Sequence, residues 1–200
     1  MRMVTIWDNH NMKFNILKWL LTVLILNLAS CDSRVIEIQN KSENTFDIYS
    51  MEWVDISGER FDATALKGSV TLVVNVASKC GYTKQYETLQ KLHDKYSSFQ
   101  VIGFPCNDFG GQEPGNSDEI IACALTYEAK FPLMEKTFIT DGKKRNPIYS
   151  TLYKATKELP SWNFGKYLID KKGTPVAFFG TNINPLSKEI MEKIEELLAG

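Results

Sequence analysis

Residues 70–76 read Val70-Thr71-Leu72-Val73-Val74-Asn75-Val76. Such a nearly continuous β-branched run suits a central strand covered on both sides. The rest of the chain supplies covering helices. Tyr86, Leu89, Leu92 and Tyr96 fall at helical spacing within residues 83–96. Phe99 to Phe104 reads as a second strand. A helix opens at Asn116, which with Glu119 three residues later has the form of a capping box. Pro147 to about Thr156 suits a helix with proline in its first turn. Lys166–Asp170 and Thr174–Phe179 flank Lys171-Lys172-Gly173, the pattern of a hairpin. An amphipathic helix over residues 185–198 closes the chain. Phe46 to Met51 alternates weakly and reads as one more strand. This order predicts an α/β fold, a central mixed sheet flanked by helices. At 200 residues the chain has the length of one ordinary domain, and no internal repeat is visible.

The first thirty residues follow another logic. Lys13 and Lys18 precede the apolar run Trp19 to Leu26, which stops at Asn27, well short of the ~20 apolar residues of a spanning helix. A basic segment followed by a short apolar one is a signal-peptide pattern. Leu28-Ala29-Ser30-Cys31 then resembles the lipobox of bacterial lipoproteins, in which the cysteine is acylated. An ordinary secretory signal with an incidental cysteine is the alternative. The expectation is a signal over residues 1–30, a lipid on Cys31, a polar tether over 31–45 and the folded domain over 46–200. The protein would then sit in the cell envelope, anchored to a membrane outside the cytoplasm.

Composition excludes some functions. Hydrophobic residues make up 44% and charged residues 24%, as in ordinary globular proteins. The formal net charge of -1 gives no footprint for nucleic acid. Of the four cysteines, Cys31, Cys80, Cys106 and Cys123, none forms a C-x-x-C pair, and the only histidines are His10 and His93. No structural metal site and no cofactor are expected. His93, within Lys91-Leu92-His93-Asp94-Lys95, reads as a surface residue.

Cys80 lies between a buried strand and a helix, where unpaired backbone N–H groups favour a thiolate, the nucleophilic form. Position alone leaves a structural cysteine equally open. The surrounding residues decide between them. Val74-Asn75-Val76-Ala77-Ser78-Lys79-Cys80-Gly81-Tyr82-Thr83 closely resembles the first signature of glutathione peroxidases. Gly103 to Gly115, with Cys106-Asn107-Asp108-Phe109-Gly110-Gly111-Gln112-Glu113-Pro114 at its centre, resembles the second. Trp162-Asn163-Phe164 resembles the third. Asp108 stands where the family usually has glutamine. The resemblance runs from about Phe46 to the C-terminus.

The resemblance implies a thioredoxin-like fold and a thiol peroxidase acting on hydrogen peroxide and organic hydroperoxides. It places the catalytic tetrad on Cys80, Gln112, Trp162 and Asn163. The last three carry N–H donors that suit the charge moving in the transition state. Cys106 is expected to be structural. On the helical wheel Cys123 points about 130° from a stripe of Ile120, Ile121, Ala124 and Leu125, towards an outer face with Glu119 and Thr126. Its position matches the resolving cysteine of thioredoxin-dependent family members, so a thioredoxin-like dithiol protein is the expected reductant, with glutathione as the alternative. The short connection from Pro147 to Trp162 lacks the loop that accompanies tetramers in the family, so a monomer is expected. Two other readings remain: a copper-delivery protein, although Lys84 stands where its second cysteine would be, and a non-catalytic envelope lipoprotein.

Overall fold

A computed structural model describes residues 35–37 and 46–200. The signal segment and Cys31 lie outside the described residues. The strands are β1 (Val35–Glu37), β2 (Trp53–Val54), β3 (Arg60–Phe61), β4 (Val70–Val76), β5 (Phe99–Pro105), β6 (Lys166–Ile169) and β7 (Pro175–Phe179). The helices are α1 (Gln85–His93), α2 (Ser117–Thr126), α3 (Pro147–Thr156) and α4 (Lys188–Ala199).

Five strands form one sheet in the order β1-β7-β6-β4-β5, and β2 with β3 makes a separate small hairpin. β4 is central, parallel to β5 and antiparallel to β6. Every one of its seven residues is buried, as a strand covered on both faces requires. Val70, Leu72, Val74 and Val76 enter one core layer with α1, α2 and α4, while Val73 enters the other with α3, Trp53 and Tyr149. The alternation follows from the two-residue period of a strand.

Three expectations change. Val35–Glu37, inside the expected tether, is an edge strand paired antiparallel with β7, Val35 opposite Phe179. Residues 46–51 are not a strand: Ile48–Ser50 is a 3-10 turn capped by the Asp47 carboxylate, which accepts the Tyr49 N–H at 2.9 Å. Ile48 and Tyr49 are both buried, and adjacent buried residues cannot share one face of a pleated strand. His93 is half-buried, not a surface residue. Its Nδ1 accepts the Val101 N–H at 3.0 Å, and burial pushes its pKa down.

Topology sets up a site. β4 and β5 run parallel, so the loops after Val76 and Pro105 leave the same end of the sheet. β6 is antiparallel to β4 and pairs Lys166 with Val74, so the loop entering β6 arrives at that end too. All three motifs therefore meet at the carboxyl end of β4 and β5, the edge where open α/β sheets usually bind ligands.

Candidate active site

Cys80 sits in the turn between β4 and α1, half-buried against the first core layer. Thr83 shapes that turn. Its Oγ1 accepts the Cys80 N–H at 3.0 Å and lies within donating distance of the carbonyls of Ala77 and Cys80. The turn folds the Tyr82 N–H back onto Cys80 Sγ at 3.5 Å. The helix begins only at Gln85, so the donor that reaches the sulfur belongs to the turn rather than to the helix.

The loop after β5 is pinned to this turn. The Gln112 carbonyl accepts the Lys79 N–H at 2.9 Å, one residue before the cysteine. Gly110 and Gly111 have φ of 67° and 64°, a left-handed pair that glycine adopts without strain. A Cβ at Gly110 would lie 3.0 Å from the Trp162 ring, so the indole rests almost directly on this backbone. Asp108 explains its own departure from the usual glutamine: its carboxylate accepts the N–H groups of Ile139 and Thr140 at 2.7 and 2.8 Å, fastening the loop to the next segment.

The third motif is held by Asn75, a polar residue in the buried central strand. Its Nδ2 donates to the Trp162 carbonyl at 3.0 Å and its Oδ1 accepts the Gly165 N–H at 2.8 Å. Phe164 takes a positive φ of 64° between these ties. Asn163 is fully buried, whereas Trp162 is 37% exposed and is no core aromatic. The Asn163 Nδ2 donates to Gln112 Oε1 at 2.9 Å. Asn163 therefore uses its amide N–H on Gln112 and orients it, while the Gln112 Nε2 and the Trp162 indole N–H donate to no other group among the described residues.

The other cysteines divide clearly. Cys106 is fully buried in the second core layer, away from the layer against which Cys80 packs, and burial pushes its pKa up to about 12. Cys123 is half-buried, and its Sγ points at the Ser78 carbonyl 3.7 Å away, two residues before Cys80. It therefore faces the Cys80 loop and not the outer face expected from the wheel. The buried residues of α2 are Ile120 and Ala124, while Leu125 is 52% exposed. Buried residues that the sequence reading left without a role, Asn75 and Glu113, both lie inside the quoted motifs. The signal was a polar residue in a fully buried strand and an acid next to Gln112.

The chain matches the family model "Glutathione peroxidase" over residues 48–153. It is 42% identical over 160 residues to the glutathione peroxidase-like peroxiredoxin HYR1 of Saccharomyces cerevisiae, covering 76% of this chain and 96% of that one. Among solved structures, T. cruzi GPX1 is 34% identical with a TM-score of 0.60, covering 78% and 97% of the two chains. The thioredoxin domain of a thiol-disulfide oxidoreductase from Bacteroides vulgatus superimposes with a TM-score of 0.52 at 12% identity, over 78% and 99% of the two chains. That likeness is one of fold alone, and the fold is thioredoxin-like.

Proposed function

Because the chain belongs to the glutathione peroxidase family, and is thus a peroxide-reducing enzyme, we propose that it works by a two-cysteine mechanism with Cys80 as nucleophile and Cys123 as resolving thiol. The observation that carries this reading is the direction of Cys123, whose sulfur faces the Ser78 carbonyl on the Cys80 loop. In the first step the Cys80 thiolate attacks one peroxide oxygen. The O–O bond breaks, sulfur loses two electrons to become a sulfenic acid, and the other oxygen leaves as water or an alcohol once protonated. Gln112 Nε2 and the Trp162 indole N–H stabilise the charge on that leaving oxygen, and Asn163 fixes Gln112. In the second step Cys123 attacks the Cys80 sulfenic acid, releasing water and leaving a disulfide. A dithiol protein of thioredoxin type then returns both thiols by exchange.

A disulfide needs Cα atoms about 4.4–6.8 Å apart. α2 carries only two fully buried residues, so its local release, which brings Cys123 to Cys80, costs far less than global unfolding. Cys31 carries a lipid that holds the enzyme in the cell envelope, a reading supported by Lys13, Lys18, the apolar run and Leu28-Ala29-Ser30-Cys31. Its reductant is accordingly an envelope-facing dithiol protein, and the short Pro147–Trp162 connection suits a monomer. Steady-state peroxide consumption tests the mechanism. Cys80→Ser is expected to abolish turnover, and Cys123→Ser to abolish turnover with thioredoxin. Full activity of Cys123→Ser with thioredoxin, or comparable rates with glutathione alone, contradicts the two-cysteine route.

A further inference from the structure

A cavity of about 400 Å³ lies between the Cys80 loop and α2, and Ser78, Lys79, Glu113, Glu119 and Cys123 are among the residues lining it. Its inner wall is chemically unusual. Glu113 is fully buried, and neither of its carboxylate oxygens has a partner in full hydrogen-bond geometry. The Ser78 hydroxyl and N–H are the nearest donors to that carboxyl, at the margin of hydrogen-bond geometry, and the buried Tyr86 hydroxyl on α1 has no partner. Glu113 and Cys123 line the same cavity, and the charge of each raises the pKa of the buried Tyr86 hydroxyl. Buried polar groups are nearly always bonded, and leaving one without a partner is destabilising.

Glu113 is also held in place. Its N–H donates to Asn107 Oδ1 at 2.8 Å, and the preceding carbonyl, that of Gln112, accepts from Lys79. Adjacent residues of one loop thus meet different partners. Gln112 takes its bond from Asn163, and Glu113 shares the cavity with Cys123. The present acceptor of the Cys123 thiol is the Ser78 carbonyl, which cannot take up a proton.

We propose that the Glu113 carboxylate is the proton acceptor for Cys123 in the resolving step. The Cys123 proton passes to Glu113, the Cys123 sulfur forms a bond to the Cys80 sulfur, and the S–O bond of the sulfenic acid breaks. The same proton goes to the departing hydroxide, which leaves as water, so no outside acid or base is consumed. Thiolate rather than thiol is the attacking form, and a base matched to the working pH serves best. Burial pushes the Glu113 carboxyl up towards that range, while Ser78, Lys136 and Lys79 pull it down. The groups that bear on this carboxyl are Lys79 and Ser78 on the Cys80 loop, Lys136, Tyr86 on α1, and Glu119 and Cys123 on α2.

The inference rests on Cys123 as resolving thiol, and one experiment separates the two claims. The full chain is mixed with one equivalent of hydrogen peroxide between pH 5 and 9. Loss of the Cys80 thiol and appearance of the Cys80–Cys123 disulfide are timed separately by quenching and mass spectrometry. In the parent, the disulfide rate is expected to rise from acid pH and level off once Glu113 is ionised. In Glu113→Gln the peroxide step should stay within about two-fold, while disulfide formation slows about a hundred-fold at pH 7 and climbs with pH throughout. Glu113→Asp should recover much of the rate and the levelling. A parent-like disulfide rate or profile in Glu113→Gln overturns the proposal. So does a parent profile with no acid-side rise, which can be read even if the variant fails to fold. Absence of any Cys80–Cys123 disulfide in the parent overturns the two-cysteine reading instead.

Discussion

Around Cys80 the polar groups are tied to the sheet, and around Cys123 they are not. Asn75 spends both ends of its amide on the Trp162–Gly165 loop, Asn163 holds Gln112, and Gln112 holds the residue before the nucleophile. The helix that carries Cys123 is well capped by its own Asn116–Glu119 box, at 3.0 and 2.8 Å, yet it sinks only Ile120 and Ala124 fully into the core. Beneath it lie unpartnered polar groups that water would solvate on opening. The contrast matches two chemical needs. Attack on an O–O bond gains from donors fixed in advance, because they need not reorganise as charge moves. Disulfide closure needs a sulfur that can travel, and a ten-residue helix with little tertiary burial is marginal on its own.

If that division is right, damage to the fixed region should appear in the peroxide step. Gln112→Ala is expected to slow second-order oxidation of Cys80 by about a hundred-fold, the usual loss for one such donor. Stopped-flow measurement within about two-fold of the parent would remove Gln112 from the mechanism.

The next effect concerns the foundation of the same region. Lys166 is fully buried, and its Nζ donates to the Phe164 carbonyl at 2.7 Å. Burial pushes its pKa from 10.5 down to about 7. Between those values the unfolded chain binds the extra proton, so stability rises with pH through this window and is lost as pH falls towards 7. Urea unfolding of the parent relative to Lys166→Met should therefore gain on the order of 2 kcal/mol between pH 7 and pH 9. A difference independent of pH would show that this lysine stays charged in the fold.

The smallest effect probes the mobile region. Asn116→Ala removes the cap of α2 and should weaken the helix by about 1 kcal/mol. Where release of the helix limits the resolving step, that is about a five-fold faster disulfide, with the peroxide step unchanged. A slower disulfide would mean that Cys123 reacts from the docked helix.

The same division governs what could be read in the sequence. The central strand, the capping box of α2, the hairpin of β6 and β7 and the three motifs are local patterns, and each has its expected place in the fold. Whether those motif residues perform the proposed steps is a question for the variants above. The errors fall where tertiary contact overrides local pattern. The wheel took Leu125 as part of the apolar stripe, but α2 rolls so that its buried direction lies between Ile120 and Ala124, about 80° from Cys123 at 100° per residue. That roll turns the thiol from the outer face to the Cys80 loop. Val35–Glu37 is too short to announce itself in a polar stretch and becomes a strand only because β7 offers an edge. Glu113 was legible as an acid beside Gln112, but its burial without a partner is a property of three dimensions alone.

The most direct test of the account maps where the sulfenic acid goes. Reduced protein is treated with one equivalent of hydrogen peroxide, alkylated, digested without reductant and analysed by mass spectrometry. A crosslink between the Cys80 and Cys123 peptides is the expected product, with Cys106 recovered as the alkylated thiol. A Cys80–Cys106 crosslink, or Cys80 carrying only oxygen while Cys123 remains a free thiol, would contradict the division between a fixed nucleophile and a travelling partner.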